Sequence, residues 1–129
     1  MEAIAIVTVL AALQVFWFAF MVGSARVKTG VKAPACSGPP EFERAHRVHQ
    51  NTMEQFVLII PAMWVFGVYV HDLIGAGLGL LCVIGRFVYR SAYLKDPKTR
   101  SAGFGIGAVA FAILAIGGLI GAGMDLPNL

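Results

Sequence analysis

The chain is 129 residues long, 58% hydrophobic and only 13% charged, and its mean hydropathy of +0.78 is too high for an ordinary soluble domain. The numbers fit one small membrane domain over residues 1–129. The net charge of +3 comes from ten Lys and Arg that all lie between Arg26 and Arg47 or between Arg86 and Arg100, two short segments beside apolar runs, so no nucleic-acid-binding domain is indicated.

Residues 3–25 carry no charge and are long enough to cross a hydrocarbon core of about 30 Å, so the first span is expected at 3–26. It is not expected to be a secretory leader, because no basic residue precedes it. Gln14, its one strongly polar interior residue, is expected to hydrogen-bond another helix. Val27 to Pro40 reads as a loop, since Gly30, Pro34, Gly38, Pro39 and Pro40 deny it regular structure. Cys36 lies in that loop and Cys82 in a later span, positions that disfavour a disulfide.

A second helix is expected at 41–70, with Pro40 suited to its first turn, Glu41 and Glu43 at the positive end of its dipole and a kink at Pro61. Only residues 55–70 of it are uncharged, fewer than the roughly 20 needed to span. At about 100° per residue, Arg44, Arg47, Asn51 and Glu54 fall within about 80° of arc and form one polar stripe. The third helix, expected at 73–94, is also short of uncharged residues, and it carries Arg86, Tyr89 and Tyr93 within about 60° of arc. A tight link follows, with Asp96 as N-cap and Pro97 opening the fourth span at 98–123. Gly103 with Gly107 and Gly117 with Gly121 permit close helix approach there.

The Lys and Arg distribution predicts that both basic segments face the cytoplasm and both termini face away from it. Four crossings then give an all-α, integral membrane four-helix up-and-down bundle with both stripes at one depth. The expected pocket takes in Arg44, Arg47, Asn51, Glu54, Arg86, Tyr89, Tyr93 and Arg100. Guanidinium forks bind carboxylates, Glu54 suits an ammonium and Asn51 suits an amide, so a zwitterion with excess negative charge is the matching ligand. No metal site is expected: His46 and His49 lack a third ligand. The alternatives are a non-catalytic membrane scaffold or a small four-span transporter. A proton-coupled carrier calls for an acidic residue near mid-span, and Glu54 lies at the end of its apolar run.

The pattern GPPEFERxxRxxxNxxE over Gly38 to Glu54, RxxYxxxY over Arg86 to Tyr93, and an Arg opening the last helix resemble the MAPEG family, the membrane-associated proteins of eicosanoid and glutathione metabolism. The resemblance is to its branch of leukotriene C4 synthases and microsomal glutathione transferases two and three. It implies a homotrimer that binds glutathione as co-substrate between subunits at the cytoplasmic side. The activity implied is conjugation of the glutathione thiolate to lipophilic electrophiles from the bilayer, with glutathione peroxidase action on lipid hydroperoxides beside it.

Carried over by position, Arg47, Asn51, Glu54, Tyr89 and Tyr93 would hold glutathione, and Arg26 would reach it from the neighbouring subunit. Arg100 would stabilise the thiolate. His49 stands where the branch places a ligand-contacting Gln, and Arg44 and Arg86 would fix the pocket through ion pairs. Gln55 and Val27 depart from the leukotriene C4 synthase pattern, which has Tyr and Arg there. A broader electrophile or a hydroperoxide is therefore expected as substrate.

Overall fold

Each of the four apolar runs becomes one helix long enough and apolar enough to cross a membrane. The computed structural model describes residues 1–128, and these comprise α1 (Glu2–Thr29), α2 (Pro40–Tyr69), α3 (Asp72–Lys95) and α4 (Ser101–Asp125), with short 3-10 turns at Pro97–Thr99 and Leu126–Asn128. α1 and α4 each pack against both α2 and α3, and α2 packs along α3. The result is the up-and-down bundle, with the α1–α2 and α3–α4 connections at its basic end.

Local sequence explains the boundaries. α1 runs three residues beyond the expected end at Arg26, because nothing breaks it before Gly30, whose φ of 76° is the left-handed closure that glycine adopts without penalty. Arg26 and Lys28 occupy its last turn, where cations complement the helix dipole. α2 is continuous through Pro61, which sits on the exposed side. The Asp96 carboxylate caps the 3-10 turn and not α4 itself: it accepts from the Lys98 N–H at 3.0 Å. Arg100 is consequently the residue just before α4, and its side chain is not committed to the helix surface.

Apolar side chains sort by depth. A large core around Ile4, Ile59, Met63 and Leu114 fills the end away from the basic loops, while Phe18 and Val48 pack with Tyr89 nearer the basic end. Outward-facing residues such as Phe16, Phe20, Ile116 and Leu119 remain exposed, the surface a hydrocarbon solvent requires. Two polar ties join α1 to its neighbours. On the outer surface Trp64 Nε1 donates to Thr8 Oγ1 at 2.9 Å, and in the interior Gln14 Nε2 donates to the Val83 carbonyl at 2.8 Å, which is the interhelical bond expected of Gln14.

Gly103 decides where α4 meets α3. A Cβ there would lie 2.6 Å from the Tyr89 Cα, so only glycine lets the start of α4 close onto the turn of α3 that carries Tyr89. That approach brings Arg100 toward the two polar stripes.

Candidate functional site

Where α2, α3 and the start of α4 converge, a cavity of about 550 Å³ opens, lined by Arg47, Asn51, Tyr89, Tyr93, Arg100, Ser101 and Phe104. Its floor is built on Arg86. This side chain is only 1% exposed, and a buried guanidinium needs partners for its donors. Nη2 donates to Asn51 Oδ1 at 2.8 Å and to Thr52 Oγ1 at 3.0 Å, and Nε donates to Thr52 Oγ1 at 3.1 Å. The Thr52 hydroxyl spends its own proton on the Val48 carbonyl at 2.7 Å, which leaves its oxygen free to accept from Arg86.

Above this floor, the Arg86 guanidinium lies 4.0 Å from the Tyr89 ring centroid, and Tyr89 stacks on Tyr93 with centroids 5.5 Å apart and planes at 19°. The sequence Arg86, Tyr89, Tyr93 thus forms a continuous column, as the spacing on one face of α3 requires. Because Arg86 has no acceptor, its contact fixes the Asn51 amide with Oδ1 inward. The groups Asn51 has left to offer a ligand are its two amide N–H donors.

The lining includes two guanidiniums, an amide and two phenols but no carboxylate, so the cavity favours anionic groups. Arg100 is exposed and held at its base by one bond, Nη1 to the Pro97 carbonyl at 3.0 Å.

The other sequence-stripe residues divide differently. Arg44 reaches across to the end of α3, donating to the Leu94 carbonyl at 3.2 Å and more distantly to that of Lys95 at 3.4 Å. In place of the ion pairs expected for Arg44 and Arg86, both donate hydrogen bonds to neutral acceptors, and Arg86 also lies over the Tyr89 ring. Glu54 is exposed on α2 and His49 half-buried, and neither lines the cavity. Arg26 lies apart as well, bonded to the Ala35 carbonyl at 2.8 Å and stacked 4.7 Å over the Phe42 ring.

Thr52, Ser101 and Phe104 escaped the sequence reading. Thr52 falls outside the 80° stripe, and Ser101 and Phe104 are ordinary residues for an apolar helix, visible as lining only once Gly103 has set the position of α4. Among the described residues no three His, Cys, Asp or Glu gather as metal ligands.

A four-helix membrane bundle with a cationic, tyrosine-stacked cavity at its basic end defines the class of protein. The sequence matches the MAPEG family over residues 4–120, and the chain belongs to that family. It is similar to microsomal glutathione S-transferase 2 of Homo sapiens, with 37% identity over 92% of this chain and 80% of that protein. It is also similar to leukotriene C4 synthase of Bos taurus, at 36% identity over 77% of this chain and 66% of that one. An uncharacterized Synechocystis protein is 37% identical over 90% of this chain and 85% of its own length.

Proposed function

We propose that this chain is a membrane-bound glutathione transferase that joins the glutathione thiolate to lipophilic electrophiles. The observation that carries the reading is the cavity itself: guanidiniums, phenols and an amide with no carboxylate among them, at one end of a bundle whose relatives include glutathione transferases. Glutathione has two carboxylates, one ammonium, two peptide groups and a thiol. Arg47 takes a carboxylate, the Asn51 N–H groups a peptide carbonyl, and Tyr89 and Tyr93 supply hydroxyls beside them.

Chemistry then needs little beyond position and charge. A thiol of pKa about 8.5 is mostly protonated at neutral pH, and a cation that lowers it by one to two units makes it largely thiolate. Arg100 is that cation. The thiolate sulfur attacks the electrophilic carbon, the C–S bond forms as the leaving group or ring oxygen takes the electron pair, and the acceptor arrives through the bilayer that surrounds the helices. A lipid hydroperoxide is the second acceptor class for the same thiolate.

Two features support a site completed between subunits of a homotrimer. The ammonium of glutathione needs a carboxylate, yet Glu54 is exposed and outside the cavity of its own chain. Arg26 is likewise too far round to serve its own cavity, and both become useful if they face a neighbouring copy. The basic segments, and with them the site, face the cytoplasm, and the termini face the other side.

Isothermal titration of the detergent-solubilised protein with glutathione tests the reading: saturable binding with thiolate absorbance at neutral pH is expected. Binding without thiolate or turnover on any electrophile would favour a non-catalytic scaffold. For topology, a Lys28→Cys variant in a Cys36→Ser, Cys82→Ser background should resist an impermeant thiol reagent applied to intact cells.

A further inference from the structure

Two concavities of about 550 Å³ flank α3. The one between α1 and α3 has hydrocarbon walls, with Leu10, Leu13, Trp17, Phe20 and Phe87 beside Gln14. The cationic cavity differs from it because the hydrogen bonds beneath it run in one direction only.

Thr52 sets that direction. Its side chain is fully buried and Arg86 is 1% exposed, so neither has bulk water as a partner. The hydroxyl donates its one proton to the Val48 carbonyl, a group that only accepts, and its oxygen is left to accept. Two N–H groups on one edge of the Arg86 guanidinium, from Nε and Nη2, converge on that oxygen. Two contacts from one rigid plane fix it as a single contact cannot, and they leave the second Nη2 hydrogen aimed at Asn51 Oδ1. The Tyr89 ring over the guanidinium attracts its charge without choosing its rotation in the plane.

An amide has two unlike ends. With Arg86 held this way Asn51 meets a donor, so Oδ1 turns toward it and Nδ2 turns to the cavity that Asn51 lines. Reversing the amide would set N–H against N–H inside the protein and break the bond to Arg86. Were the guanidinium free to swing, that penalty would vanish, and Asn51 would offer its carbonyl as readily as its N–H groups.

We propose that Thr52 is a positioning residue: acting through Arg86, its hydroxyl sets which end of the Asn51 amide faces the cavity, and so makes the site select a ligand group that accepts hydrogen bonds. The identity of that group, a peptide carbonyl, rests on the glutathione reading. The orientation of Asn51 does not.

Asn51 and Asn128 are the chain's two asparagines, so an Asn128→Ser chain labelled with side-chain 15N-asparagine and placed in nanodiscs shows one NH2 pair. Relaxation of that pair in the ligand-free protein should report an amide as rigid as the helix backbone. Thr52→Val keeps the shape and removes the acceptor, and should leave the amide mobile. Thr52→Ser, which keeps the hydroxyl, should restore its rigidity. A purely structural role would lower melting in Thr52→Val without loosening the amide, so an equally rigid amide below the melting transition overturns the proposal. If Thr52→Val does not fold, Thr52→Cys, whose sulfur is a weak acceptor, gives the same readout. In calorimetric titration glutathione should bind about fivefold more weakly to Thr52→Val, one hydrogen bond's worth, and as in the parent to Thr52→Ser. Turnover at saturating glutathione should stay within about twofold in both, the mark of lost binding and not of lost chemistry. A mobile amide with unchanged affinity overturns the selection of the ligand group. A parent chain that binds no glutathione overturns the glutathione reading, and the amide relaxation still decides the role of Thr52.

Discussion

The two concavities are alike in volume and opposite in chemistry. The one between α2, α3 and α4 presents arginines, tyrosines and an amide, with Asn51 and the Thr52 beside it held by hydrogen bonds from Arg86. The one between α1 and α3 is apolar apart from a single amide, Gln14, which donates to the Val83 carbonyl. α3 walls both, so the same helix is read twice, with Arg86, Tyr89 and Tyr93 on one side and Val83 and Phe87 on another. A bundle this small affords a polar site at membrane depth only by spending internal hydrogen bonds on it, and Arg86 is where they are spent.

Breaking that contrast at Arg86 should have the largest effect. Arg86→Ala removes three hydrogen bonds and leaves Asn51 Oδ1 with no recorded donor and an empty space beneath the Tyr89 ring. Charge-assisted buried bonds and the void together predict a loss of about 3 kcal/mol or more. Thermal or denaturant melting in detergent should show it, with glutathione binding lost in parallel because Asn51 and Tyr89 lose their support. Arg86→Lys should rescue little, since one ammonium cannot reproduce the fork that spans Asn51 and Thr52. Melting that does not change would mean that water replaces the guanidinium and that the site is far wetter than its burial indicates.

The next largest effect should fall on ligand and not on stability. Arg47 is exposed and lines the cavity, so Arg47→Ala should leave melting within about 0.5 kcal/mol. It should weaken glutathione binding by about 1.5 to 3 kcal/mol, the range for a charge-assisted bond. Glu54→Ala should weaken it similarly if the ammonium is met by a carboxylate from a neighbouring copy. Calorimetric titration of the two variants separates the cases: a loss at Arg47 without one at Glu54 would confine the site to a single chain.

How much of this was legible in the sequence follows from what each signal depends on. The first and last spans are legible from uncharged run length, whereas α2 and α3 need charged turns added to runs too short to span, and each expected span begins and ends within three residues of its helix. Glycine or proline marks the breaks at Gly30, Pro39 and Pro97 but not the one at Val70 and His71. The column of Arg86, Tyr89 and Tyr93 and the pairing of Arg47 with Asn51 were readable because a helix repeats every 3.6 residues. Partners across helices were not. Thr52 as the acceptor for Arg86, Leu94 as the acceptor for Arg44, and the positions of Ser101 and Phe104 depend on rotation and translation of one helix against another. Glu54 shows the reverse limit: it lies only about 20° around α2 from Arg47 and about 60° from Asn51, yet it does not line the cavity, so angle on one helix does not by itself place a residue in a pocket.

The smallest of these effects concerns Arg100 and is the most informative about chemistry. Its guanidinium is exposed at the cavity edge and tethered by one bond to the Pro97 carbonyl, so Arg100→Ala should barely change melting. Arg47 already meets a carboxylate in this reading, so the glutathione dissociation constant should move by no more than about threefold, under one hydrogen bond's worth. The ionisation of bound thiol should respond more. A cation that favours thiolate lowers its pKa, so removing the cation raises it, and the thiolate absorbance should titrate about one unit higher. At neutral pH that reduces the reactive fraction, and turnover at saturating glutathione should fall about tenfold, since 1.36 kcal/mol corresponds to one decade. Raising the pH above the shifted value should restore most of the lost rate. If the rate stays low at high pH although thiolate forms, Arg100 positions the acceptor instead of the sulfur. If neither thiolate nor rate changes, the activating group is another, and the phenols of Tyr89 and Tyr93 line the same cavity.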